Sequence, residues 1–169
     1  MSCALKRNGA PSLEELKASP AFPSEERLRS GPVVVIECIE EIPCNPCESC
    51  CPKGAITVGE PITNLPRVDF EKCIACGACI AACPGLAIYM KDYTYSDTMA
   101  SISFPFEYLP RPQAGDAVRM VNRCGGEICD GTVLSVRNPK AYDHTAVVTA
   151  CFPKEYFDDV VSMKRLPVA

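Results

Sequence analysis

At 169 residues the chain has room for one ordinary domain or two small ones. Sixteen prolines, no tryptophan and 7% aromatic residues argue against a large conventional core. The formal charge is −4, from 17 basic and 21 acidic residues, and the absence of a basic patch disfavours nucleic-acid binding.

Residues 1–30 read as a polar arm broken by Pro11, Pro20 and Pro23. Ser12 with Glu15 makes a capping box ahead of a short helix from Leu13 to Ala18, and Ser24 caps a further turn through Arg29. Neither is long enough to stand alone in water, so the arm is expected to drape over another surface. Thirteen cysteines would suit a secreted disulfide scaffold, but the stretch from Met1 to Gly9 lacks the apolar segment of a secretory signal. The longest apolar runs, such as Val33 to Ile36, are far too short to span a bilayer. A reducing cytoplasm is the expected setting.

Residues 31–92 repeat one pattern twice: strand, cysteine loop with a short helix, strand. Val33 to Ile36 leads into the first loop and Ala55 to Val58 leaves it. Arg67 to Phe70 leads into the second and Leu86 to Met90 leaves it. The second loop places Cys73, Cys76, Cys79 and Cys83 directly before Pro84, a Cys-x₂-Cys-x₂-Cys-x₃-Cys-Pro run. Cys44, Cys47 and Cys51 before Pro52 repeat the later part of that run, and both tails continue to Ala-Ile. Such spacing is the ligand pattern of bacterial 4Fe–4S proteins, in which the fourth cysteine serves the other cluster. Zinc sites favour well-separated Cys-x₂-Cys pairs instead. Gly77 lets the backbone approach cluster sulfur, while Pro52 and Pro84 turn the chain after each fourth ligand.

This region, about 60 residues, resembles the dicluster bacterial ferredoxins. The resemblance implies an α+β, pseudo-twofold module with a cluster at each end. By the family's cross-over rule, cluster one takes Cys38, Cys44, Cys47 and Cys83, and cluster two takes Cys73, Cys76, Cys79 and Cys51. The first motif departs from the pattern. Its first ligand should fall at position 41, which is Glu41; the nearest upstream cysteine is Cys38. A competing register uses Cys44, Cys47 and Cys50, but sets Cys51 directly after Cys50 without a spacer. Cys38 is preferred here, with Cys50 a buried thiol and residues 39–43 an enlarged loop. Without Cys38, cluster one would be 3Fe–4S or would use Glu41.

Residues 93–114 read as a proline-rich linker, with Phe104 to Pro112 an extended crossing. Residues 115–169 read as a small β domain, either a small β-barrel or an open β-sheet. Its strands fall near Gly115 to Val121, Gly131 to Val136 and Thr145 to Thr149, with Gly125 and Gly126 at a hairpin tip. Phe157 to Met163 closes it as a short helix or a last strand. Cys124, Cys129 and Cys151 read as structural thiols rather than a third metal site. His144, the only histidine, reads as a turn residue and excludes Rieske-type ligation, which needs two. Tyr89, Tyr93 and Tyr95 read as a packed aromatic edge.

The chain is further similar to ferredoxin-like small subunits of multi-subunit FAD-dependent amine or amino-acid dehydrogenases, the proline and hydroxyproline dehydrogenase type. That likeness implies an electron-transfer subunit of a hetero-oligomeric complex, relaying electrons to or from a flavin-containing partner. No catalytic residue and no flavin site are recognised on the chain itself. A diffusible ferredoxin and an iron–sulfur redox sensor are the competing readings.

Overall fold

The computed structural model describes residues 4–167; residues 1–3, where the N-terminal arm begins, and residues 168–169 lie outside it. The arm carries three short helices: α1 (Leu5–Asn8), α2 (Leu13–Lys17) and α3 (Glu25–Arg29). The Ser12 hydroxyl accepts the Glu15 N–H at 3.2 Å while the Glu15 carboxylate accepts the Ser12 N–H at 2.7 Å, a complete capping box. The N–H groups of Ser12 and Leu5, both donating to this carboxylate, hold the Glu15 carboxyl below its ordinary pKa. The arm is anchored by its apolar residues: Leu16, Ala21 and Leu28 are all buried.

The strands that follow are β1 (Val33–Ile36), β2 (Ile56–Thr57), β3 (Arg67–Val68), β4 (Ile88–Asp92) and β5 (Met99–Phe106). After them come β6 (Ala117–Asn122), β7 (Glu127–Arg137), β8 (Ala146–Pro153) and β9 (Val160–Met163). Helix α4 (Pro46–Ser49) lies between β1 and β2, and α5 (Ala78–Ala82) between β3 and β4. Strands β2 and β3 form a small antiparallel pair, so the first half of the chain has the expected α+β repeat. The other seven strands form one antiparallel sheet in the order β1-β4-β5-β8-β7-β6-β9. It curls into a half-barrel, bringing β5 against β9 although they stand four places apart.

The β domain therefore shares a sheet with the cysteine-bearing half. A linker over residues 93–114 was expected, yet Met99–Phe106 is a central strand between β4 and β8. Pro105 hid this strand. It is tolerated because β4 pairs only with residues 101–103, leaving β5 a partner on one side alone at position 105.

Two cores lie back to back. Ala100, Ile102, Phe104 and Phe106 of β5 join Val148, Ala150 and Phe152 of β8 inside the curl. Val147, on the opposite face of β8, instead joins Ile80 of α5 and Ile88 in the core beneath the cysteines. Strand β1 divides between them: Val33 and Val35 face the curl, Val34 and Ile36 the cysteine core. All four are buried, which is why β1 reads as an unbroken apolar run rather than an alternating one. Leu28 enters one core and Ala21 the other, so the arm straddles the seam.

Two buried polar contacts cross the same seam. Glu37, following β1, accepts hydrogen bonds from Arg123 Nε at 2.9 Å and Nη2 at 2.6 Å, and Arg123 Nη1 donates to the Asp158 carbonyl at 2.7 Å. The Arg123 and Glu37 side chains are 7% and 5% exposed. Lys91 of β4 is buried and donates to the Phe157 carbonyl at 2.8 Å. Burial lowers its pKa to about 8.

Candidate iron–sulfur sites

The eight cysteines singled out by spacing gather around two cavities. Cys73, Cys76 and Cys79 line one together with Cys51, which arrives from the other motif. Cys38, Cys44 and Cys47 line the second, with Cys83 as the crossing residue. Each short helix makes the crossing possible. Helix α5 starts just before Cys79 and is capped by Cys83, which turns into extended backbone (ψ 109°) toward the far cavity. Helix α4 starts at Pro46, is capped by Cys50, and hands the chain to Cys51.

Gly77 initiates α5 in the left-handed region (φ 76°), a conformation that glycine adopts without strain. Its missing side chain leaves room for Arg137 of β7, whose Nη2 lies 3.2 Å from where a Cβ would stand. Pro52 lines the first cavity and Pro84 the second. Glu41 lines neither, although its neighbour Glu40 faces the Cys38 cavity. Cys50 also lines neither; it opens onto a separate cleft with Ala81, Cys83 and Tyr142, and its Sγ donates to the Cys47 carbonyl at 3.4 Å.

The donor set fits a cubic iron–sulfur cluster. Four sulfurs surround each cavity with no histidine among them, and thiolate is the ligand such iron prefers. Among the described residues, no three His, Cys, Asp or Glu side chains converge as a single metal ion requires. A cube bound at its corners spaces its ligands around a cavity; a zinc ion draws them to one point.

Burial pushes the Cys79 thiol pKa up to about 12 and that of Cys47 to about 11, and raises those of Cys38 and Cys50. Cys51 goes the other way. Burial pushes it up, but the backbone N–H groups of Ala55, Lys53, Ile56 and Gly54 outweigh it, with the Ala55 N–H 3.2 Å from Sγ.

The remaining candidates sit elsewhere. Cys129 and Cys151 are buried in β7 and β8, and Cys124 is disulfide-bonded rather than the thiol expected from sequence. His144 lies exposed in the turn before β8, with φ 76°. Tyr93 packs edge-on against Phe157, with ring centroids 5.2 Å apart, and lies under Arg29 and Lys154. Sequence reasoning missed the Arg123–Glu37 pair and Arg137, because both act across the fold and no local spacing marks them.

Residues 66–89 match the 4Fe-4S binding domain family. The chain is 52% identical over 50 residues to one subunit of an ion-translocating oxidoreductase complex of Methanosarcina acetivorans, covering 30% of this chain and 18% of that one. It is 34% identical over 87 residues to the polyferredoxin-like subunit of an aliphatic sulfonate oxidoreductase of Pyrococcus furiosus, covering 50% and 45%. An uncharacterized ferredoxin of Methanocaldococcus jannaschii is 41% identical over 70 residues, covering 40% and 42%. The chain thus spans less than half the length of each of these relatives. No solved structure matches it at a significant level. Among the described residues, no helix is long and apolar enough to cross a membrane. The chain carries a ferredoxin-type 4Fe–4S binding domain.

Proposed function

We propose that the chain is the electron-transfer subunit of an oxidoreductase complex, holding two 4Fe–4S clusters. Cys38, Cys44, Cys47 and Cys83 hold one; Cys51, Cys73, Cys76 and Cys79 hold the other. The observation that carries this reading is the reciprocal crossing: each cavity takes three cysteines from one motif and its fourth from the other. Such clusters accept and release single electrons when bound.

The chain's own residues do the rest. Ile36, Ile56, Ile80 and Ile88 exclude water beneath the cysteines. The N–H groups around Cys51 favour its thiolate form. Gly77 and the two prolines shape the loops. Glu41 is not required as a ligand on this reading, and Cys50 is a neighbouring thiol.

The partner we propose is a flavin-containing dehydrogenase subunit in the cytoplasm. A reduced flavin can release its two electrons singly, which matches one-electron carriers. The subunit names of the relatives support membership of a complex in general terms.

The test is anaerobic purification of the tagged protein from its native host. Iron near eight per chain together with a stoichiometric flavoprotein supports the whole reading. Iron near eight on a lone chain keeps the clusters and makes the protein a diffusible ferredoxin.

A further inference from the structure

We infer that the fold makes the two sites unequal, so that an electron resides preferentially at the Cys51/Cys73/Cys76/Cys79 site, with Arg137 of β7 as a positioning residue that favours it there. This inference rests on the two-cluster reading above.

An electron added to a thiolate-ligated cluster adds one negative charge, so cations, N–H donors and water all stabilise the reduced form. The two sites differ in each respect. Cysteines aside, the only charged side chain lining the Cys73 cavity among the described residues is Lys53; for the Cys38 cavity it is Glu40.

Arg137 adds to this contrast. Its guanidinium rests against Gly77, between Cys76 and Cys79, and it forms no ion pair among the described residues. It also lies over the Tyr142 ring, 6.0 Å from its centroid. At the other end Arg123 stands near Cys38, but Glu37 neutralises it through two hydrogen bonds. Lys72 is likewise paired with Asp69, and Glu71 does not line the Cys73 cavity.

A backbone donor also reaches this site, where the Ala55 N–H lies 3.2 Å from Cys51 Sγ. Cys76 is also the one exposed cysteine of the eight.

With both sites loaded, an electron passing between them would oxidise the Cys38 site and reduce the Cys76 site. No proton moves and no bond is made or broken. The first electron comes from a one-electron donor, a reduced flavin in the complex or dithionite in the test.

The full chain is reconstituted anaerobically, its iron counted, and the clusters titrated with dithionite under electron paramagnetic resonance at low ionic strength. Two couples at unequal potentials are expected. Arg137→Gln should lower the upper couple by about threefold in its equilibrium constant, ~28 mV for one electron, and leave the lower one in place. Arg137→Lys keeps the charge and should hold the upper couple near its original value. Glu40→Gln should raise the lower couple alone, so both charge-removing variants narrow the gap.

An Arg137→Gln shift in the lower couple, a Glu40→Gln shift in the upper one, or no shift in either variant overturns the inference while the two-cluster reading stands. Iron near four per chain removes that reading first, and the inference with it.

Discussion

The buried Glu37–Arg123 pair gives the most direct test of how the two halves are joined. Glu37→Gln removes the carboxylate charge but keeps the side-chain length. The guanidinium is then left 7% exposed with only neutral oxygens, the Asp158 carbonyl and the new amide, to accept from it. Unit charges about 4 Å apart at an effective dielectric near 20 attract by about 4 kcal/mol. Breaking a buried pair from one side costs about 3–5 kcal/mol, because the other charge stays buried and uncompensated. For a protein of this size each kcal/mol moves the melting temperature by roughly 2–4 °C, so a drop of about 6–20 °C is expected.

The double variant Glu37→Met with Arg123→Met removes both charges and should recover most of the loss. The assay is a set of anaerobic thermal scans of the iron-loaded protein at one fixed scan rate, with iron followed in parallel. Because Glu37 adjoins Cys38, iron at that site should be released first. A single variant melting within about 2 °C of the parent, or a double variant as unstable as the two singles summed, would refute the reasoning.

The ligand assignment predicts that Cys38→Ala loses iron while Cys50→Ala keeps its full complement, since of the two only Cys38 lines one of the two four-cysteine cavities; iron analysis of the two variants checks this. Lys91 predicts a pH dependence. Its folded pKa of about 8 lies below the unfolded value near 10.5, so the unfolded chain binds more protons between them and stability rises with pH across that window. Lys91→Met should flatten this slope and, below pH 8, stabilise by up to about 3 kcal/mol, as read by denaturant titration at pH 7 and pH 10. Gly131→Ala should destabilise by about 1–3 kcal/mol, because a Cβ there would lie 2.8 Å from Met120 Cγ and 2.9 Å from the Cys151 carbonyl. Met120 is fully buried and the carbonyl belongs to a paired strand, so neither yields cheaply.

Whatever depends on neighbours within a few residues is legible in the sequence alone. The Ser12 capping box, the Ser24 cap, the Val33–Ile36 strand and the Gly125–Gly126 turn all stand where local hydrogen bonding and apolar runs put them. Both cysteine motifs are legible for the same reason, since ligand spacing on a short loop is a local property. Tertiary structure decided what crosses long distances in the chain. It placed Cys38 beside one cavity and Cys50 outside both. It turned an expected linker into β5, because strand pairing with β8 outweighs the local bias of Pro105. It also laid Arg123 on Glu37 across 86 positions and Arg137 on Gly77 across 60. Contacts of that range depend on how one sheet curls, and no short window of sequence encodes the curl.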